Sequence, residues 1–249
     1  MKDPGKRTLR VFRTKKALDA FMVEEWAVVC KWAVGHGGRF AVALSGGTTP
    51  VSFYERLAAP GRELPWDRTH IFLTDERCVP FDDRDSNYRM IDAILLRHVP
   101  IPPGNIHAVQ TRLEPSAAAA AYETEIRAFF GLKKGEFPGF DLILLGLGED
   151  GHTASLFPGD AAAAEKRRFA AAVARAAPDH DRVTLTLPVI NRASAVIFLV
   201  AGAKKAPILK AVLDGPGTGL PAGLVRTSQG RTVFLADKDA ASLLSCRGQ

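Results

Sequence analysis

Three short stretches of the chain gather residue types that can do chemistry. Gly148-Glu149-Asp150-Gly151-His152 sets a histidine between flanking small residues directly behind an apolar run. A neutral imidazole there can act as a general base near pH 7, and a helix N-terminus would keep it neutral by disfavouring the imidazolium. A structural histidine fits the same pattern. Asp75-Glu76-Arg77 follows a second apolar run, with Phe81-Asp82-Asp83 and Ser86-Asn87-Tyr88 close behind. Asp75, Arg77 and Asn87 are therefore site candidates; a solvated loop with a local ion pair is the competing reading. Ser45-Gly46-Gly47-Thr48-Thr49-Pro50 follows a third run. Its glycines let backbone N–H groups approach an anion, and Ser45 and Thr48 add hydroxyl donors. Thr49 suits an N-cap and Pro50 the first helical position. The stretch is either a phosphate cradle at a helix N-terminus or a plain strand-to-helix turn.

Two further cations belong to the same inquiry. Lys205 sits in the turn after the run Ala195–Ala201, and Arg182 precedes the alternating segment Val-Thr-Leu-Thr-Leu. Arg182 would lie at a strand's start, so only a reversed strand brings it to the edge where the other candidates gather. Ser155 lies outside any Gly-x-Ser-x-Gly elbow. The other histidines, at 36, 70, 98, 107 and 180, show no ligand spacing with His152, so no metal is expected.

Strands and helices must alternate to place these turns side by side. Short apolar runs at Thr8–Phe12, Phe40–Leu44, His70–Thr74, Phe140–Leu147, Val183–Leu187, Ala195–Ala201 and Thr232–Ala236 read as strands. Helical patterns fall at Lys15 to about Val34, capped by Thr14, and at Pro50–Ala58, Asn87–Val99, Ser116–Phe130 and Lys204–Leu213. A short helix is expected after the last strand. Buried strands separated by helices predict a parallel sheet covered on both faces, with ligands beyond the C-terminal strand ends. No internal repeat or linker interrupts the pattern. Gly215–Gly223 is loop-like but too short to divide the chain, so residues 1–249 are expected to form a single domain.

Composition narrows the function classes. With 47% hydrophobic residues in 249, the chain can bury a large core, and its charged fraction of 24% is ordinary for a globular protein. The net charge of +6 resides in residues 1–16, which hold seven basic residues and one acid; the remainder balances. Such an arm suits a solvated edge strand whose charges block sheet pairing, and no recognition helix accompanies it, so a nucleic-acid partner is not expected. Three scattered cysteines (30, 78 and 246) fit a reducing, cytoplasmic setting. No signal peptide or membrane-spanning run is visible.

Together, Ser45–Pro50, Thr74–Asp83 with Ser86–Tyr88, Leu144–Gly159, Arg182–Asn191 and Val200–Ala206 resemble the 6-phosphogluconolactonase family, in that family's order and over about 160 residues. The family shares a superfamily with glucosamine-6-phosphate isomerase/deaminase. The resemblance implies a three-layer α/β/α sandwich with a mostly parallel, modified Rossmann-like sheet. It implies that His152 is the general base, that Asp75 and Arg77 stand in the active site, and that Ser45, Gly46, Gly47, Arg182 and Lys205 hold a phosphate; Thr48 and Asn87 are expected to bind substrate beside them. The implied reaction is hydrolysis of 6-phospho-D-glucono-1,5-lactone to 6-phosphogluconate in the oxidative pentose phosphate pathway. Such hydrolysis needs no cofactor, and the implied protein is a monomer or small homo-oligomer. Deaminases carry a glutamate five residues after the equivalent histidine; here that position is Phe157. A sugar-phosphate isomerase or deaminase and a non-catalytic phosphosugar sensor are the competing readings.

Overall fold

A computed structural model describes residues 7–214 and 219–244. Among these described residues ten strands form: β1 (Arg7–Phe12), β2 (Phe40–Leu44), β3 (Thr69–Leu73), β4 (Asp75–Arg77), β5 (Ile106–His107), β6 (Leu142–Leu145), β7 (Ala170–Val173), β8 (Arg182–Leu185), β9 (Ala195–Val200) and β10 (Arg231–Asp237). The helices are α1 (Lys15–Gly37), α2 (Val51–Leu57), α3 (Asn87–Ile94), α4 (Pro115–Phe130), α5 (Ala161–Ala164), α6 (Leu187–Ile190), α7 (Ala206–Asp214) and α8 (Pro221–Leu224). Seven strands make one sheet in the order β1-β10-β9-β6-β2-β3-β5, every pair parallel. The remaining three make a second, antiparallel sheet, β4-β8-β7.

The inner strands of the large sheet are buried on both faces because they are apolar on both. Phe40, Val42 and Leu44 of β2 pack into one core with Trp26 of α1 and Phe53 of α2. Their neighbours Ala41 and Ala43 face the other core, with Tyr122 of α4 and Leu209 of α7. The same alternation runs along β6, β9 and β10, so each strand feeds two cores and the molecule is a three-layer α/β/α sandwich. Among the described residues no helix is long and apolar enough to cross a membrane.

Helix α1 begins where expected: the Thr14 hydroxyl accepts from the Ala17 amide at 3.2 Å, and Gly38 ends the helix at φ 72°. Strand β1 is an edge strand, mostly exposed, as the basic composition predicts. Other expectations need correction. Pro50, not Thr49, holds the N-cap position of α2, with no side-chain cap. Helix α3 stops at Ile94, and a 3-10 turn at Leu96–His98 replaces its last part. The run expected to extend over Val183–Leu187 leaves the strand after Leu185, and Leu187 opens the short α6 with Pro188 in its first turn. Turns, not a helix, follow β10. Cys246, Lys2 and Lys6 of the basic arm, and positions 215–218 of the Gly-rich loop lie outside the described residues.

Strand order fixes where a ligand can sit. From β2 the chain builds outward through β3 to β5; from β6 it builds the opposite way through β9 to β10. The reversal lies between β2 and β6, so their following turns diverge and leave a crevice.

Candidate active site

That crevice is a cavity of about 520 Å³. Ser45, Gly46, Gly47 and Thr48 line it from the turn after β2, His152 from the turn after β6, and Lys205 from the turn after β9. Asp75, Arg77, Asn87 and Arg182 complete the wall from the second sheet and the start of α3. All ten residues expected from the sequence therefore face one space.

His152 stands in a tight loop, not at a helix start. The Gly148 amide donates to the His152 carbonyl at 2.9 Å, the Gly151 amide donates to the Gly148 carbonyl at 3.0 Å, and Gly151 takes φ 86°. Glycine is needed twice here. Gly151 adopts a left-handed conformation with Leu220 pressed against it, and a Cβ on Gly148 would lie 2.1 Å from His152 Nδ1. Asp150 Oδ1 lies 2.6 Å from Nδ1. With Nδ1–H donated to this carboxylate, Nε2 is the free, basic nitrogen. Burial pushes the Asp150 carboxyl up, but the backbone amide and ring of His152 outweigh it and hold it below the usual carboxylate range. A carboxylate partner thus stands where a helix dipole was expected. The signal was present in the sequence, as an acid two residues before the histidine.

The second sheet positions the opposite wall. Strand β4 continues from β3 past Thr74 and pairs antiparallel with β8, in a register that sets Arg77 opposite Arg182. This is the reversed strand that Arg182 required. Like charges directly opposite each other are unfavourable, and both Nε atoms are buried without a hydrogen-bond partner. An anion between the guanidiniums would answer both deficits. Arg77 Nη1 donates to the Asp85 carbonyl at 2.6 Å, and Arg182 Nη2 donates to Asp179 at 2.6 Å. Burial alone would raise the Asp179 carboxyl, but the Arg182 hydrogen bond dominates the opposing effects and brings it down to about 2. Lys205 Nζ lies 3.9 Å from Glu149.

Two buried groups missing from the sequence-derived set hold this wall. Glu76 is fully buried between Asp75 and Arg77, and its carboxylate accepts from the amides of Arg77, Asn87 and Tyr88, each at 2.7 Å. It thereby ties the start of α3 to β4; burial pushes its carboxyl up despite these bonds. Ser155, also fully buried, donates its hydroxyl to Asp75 Oδ2 at 2.7 Å, while Thr74 donates to Oδ1 at 3.0 Å. Asn87 Nδ2 donates to the Asp75 carbonyl at 2.9 Å and leans over Gly46, where a Cβ would lie 1.8 Å from Oδ1. No periodicity marks these contacts, because they join segments far apart in sequence. Among the described residues no group of three or more His, Cys, Asp or Glu side chains is placed to hold a metal ion.

Both the sequence and the fold are similar to those of known proteins. Residues 13–234 match the model of the family described as glucosamine-6-phosphate isomerases/6-phosphogluconolactonase. A 6-phosphogluconolactonase of Nostoc sp. is 41% identical, over 96% of this chain and 99% of that protein. The crystal structure of the 6-phosphogluconolactonase of Thermotoga maritima superposes with a TM-score of 0.82 at 35% identity, covering 94% of this chain and all of that one. A monomeric glucosamine-6-phosphate deaminase superposes with a TM-score of 0.80 at 19% identity over 95% of this chain and 99% of that one, which is a likeness of fold alone.

Proposed function

From the premise that this chain belongs to the glucosamine-6-phosphate isomerase/6-phosphogluconolactonase family, we propose that it hydrolyses 6-phospho-D-glucono-1,5-lactone to 6-phosphogluconate, a step of the oxidative pentose phosphate pathway, with His152 as general base. The observation that carries this reading is the Asp150-bound imidazole facing two guanidiniums with unpartnered Nε atoms across one cavity.

Arg182, Lys205 and the Ser45–Thr48 turn hold the phosphate, and Asn87 binds beside them. Binding energy spent at that end orients the lactone carbonyl toward His152. His152 Nε2 takes a proton from water as the water oxygen bonds to the carbonyl carbon. The carbonyl electrons move onto oxygen, giving a tetrahedral oxyanion. Arg77 stabilises that charge, since the amides of Gly148 and Gly151 are already engaged within the loop. The oxyanion then collapses, the bond from carbon to ring oxygen breaks, and Nε2–H returns the proton to that oxygen. The new carboxylic acid ionises, so turnover releases acid. Asp150 fixes the tautomer throughout, and Asp75, held by two hydroxyls, orients the sugar hydroxyls. The water, the base and the ester carbon complete this sequence without redox chemistry or an electron sink, so no cofactor is assigned.

Phe157 supports hydrolysis over isomerisation. It is buried, with its ring 4.5 Å from the His152 ring, and it occupies the sequence position that the resemblance assigns to a glutamate in the deaminases. The test is acid release from freshly generated lactone above the spontaneous rate, beside ammonia release from glucosamine 6-phosphate. Acceleration in the first and none in the second is expected; the reverse pattern would transfer the chain to the deaminase branch.

A further inference from the structure

Phe157 touches three charged or titratable groups at once. Its ring lies 4.5 Å from the His152 imidazole, with the Arg175 guanidinium 4.0 Å and the Arg182 guanidinium 5.6 Å from its centroid. Arg175 lies behind the cavity and is itself held in place. Its amide donates to Asp181 Oδ1 at 2.8 Å, and its guanidinium faces Asp179 at 3.4 Å and Asp160 at 3.6 Å. Asp179 in turn bonds Arg182. Phe157, Arg175, Asp179 and Arg182 therefore close a ring of contacts, and His152 rests against one side of it.

Resting on the reading of His152 as base and Arg182 as phosphate anchor, we propose that Phe157 and Arg175 are positioning residues that set the base and the anchor relative to each other. The bond from Asp150 fixes the imidazole at Nδ1 but does not fix its plane. The Gly148 backbone and the Phe157 ring confine that plane. Arg182 has the complementary problem. One Nη bonds Asp179 while Nε lacks a partner, so the aromatic ring supplies the lateral support its unfilled donors do not. An aromatic ring suits both tasks, because its face packs against the imidazole, here tilted by 38°, and attracts a guanidinium. Arg175 holds the ring from outside and pins Asp179, so its loss should reach Arg182 first.

The test compares wild type, Phe157→Leu, Phe157→Tyr, Arg175→Gln and Arg175→Lys as full chains. Each is assayed for lactone hydrolysis and, by calorimetry, for 6-phosphogluconate binding, with near-ultraviolet circular dichroism as the check on folding. Phe157→Leu should lower kcat by about tenfold to a hundredfold, as expected for a misplaced reacting group. It should also weaken 6-phosphogluconate binding severalfold, while Phe157→Tyr, which keeps the ring, should recover most of both. Arg175→Gln should weaken binding and raise KM with kcat nearly unchanged, and Arg175→Lys should fall between it and wild type. A folded Phe157→Leu with wild-type kcat and affinity overturns the proposal, as does a Phe157→Tyr no better than Leu. Should the Leu variant fail to fold, Arg175→Gln decides: unchanged affinity and KM overturn the proposal. A wild type that binds 6-phosphogluconate but hydrolyses nothing would refute the lactonase reading separately, leaving the binding arm to decide the Arg182 half.

Discussion

The two sheets contribute to the cavity in opposite ways. The seven-stranded sheet is parallel and apolar on both faces, and its site residues all lie past strand ends: Ser45 after β2, His152 after β6, Lys205 after β9. The three-stranded sheet is antiparallel and carries its chemistry within the strands, with Asp75 and Arg77 on β4 and Arg182 on β8. A turn can be shaped around its side chain by glycines, as Gly148 leaves room for the His152 ring and Gly151 turns the loop at positive φ. A strand residue has its neighbour imposed by register, and here the register sets two cations opposite each other. The turns place a base cheaply in folding terms, whereas the small sheet holds two facing guanidiniums whose Nε atoms a bound anion would satisfy.

Variants can sharpen or break this contrast. Asp150→Asn should have the largest effect, lowering kcat by about 10²- to 10⁴-fold through loss of the productive tautomer, with 6-phosphogluconate binding retained; steady-state kinetics and calorimetry check both. On the other sheet, Arg182→Ala should weaken 6-phosphogluconate binding by about tenfold to a hundredfold, the range for a lost charge-assisted bond, with a smaller change in kcat. Arg77→Met should lower kcat yet leave the unliganded protein as stable as wild type or more so, because it removes a like-charge contact. A clear drop in thermal midpoint for that variant would break the contrast.

The smallest effect is expected away from the site, at the β3–β5 edge. There His70 Nδ1 lies 3.3 Å from His107 Nε2, and His107 Nδ1 lies 2.7 Å from Glu125. Burial first, then His107 and Arg39, push the His70 pKa down to about 4. In the unfolded chain this histidine protonates near the usual value of about 6.5, so between those values the unfolded state binds the extra proton. Stability should therefore fall as pH drops from about 6.5 to about 4. His70→Asn should flatten that slope in denaturant titrations without altering lactone hydrolysis; an unchanged slope would contradict the assignment.

The same contrast explains what the sequence revealed. Most of the large sheet was legible because its inner strands are apolar runs ending in distinctive turns, and chain order alone brings Ser45, His152 and Lys205 to its C-terminal edge; the two-residue β5 at its far edge was missed. The start of α1 followed from Thr14, whereas its end, expected near Val34, runs on to Gly37. Of the small sheet only β8 was legible, from its alternating Val183–Leu187 segment. Asp75–Arg77 is a strand of three polar residues, and β7 is Ala-Ala-Ala-Val, a helix former by propensity that becomes a strand by pairing with β8. Arg182 could be named but not placed, since its position depends on the direction of β8. Glu76 and Ser155 escaped for a related reason. The partners of their side chains lie 10 to 12 and 80 residues away, apart from the adjacent Arg77 amide, and no local pattern announces such bonds. Asp150 was within reach, two residues from His152, once the histidine's tautomer was asked about.

The most direct test of His152 as the base of a lactone hydrolase is acid release from fresh 6-phospho-D-glucono-1,5-lactone by wild type and His152→Ala, with 6-phosphogluconate binding measured on both. Wild type should exceed the spontaneous rate, and the folded variant should bind the product while losing about 10²- to 10⁴-fold in kcat. Wild-type turnover by His152→Ala would contradict the assignment of the base, and no acceleration by wild type would contradict the proposed reaction.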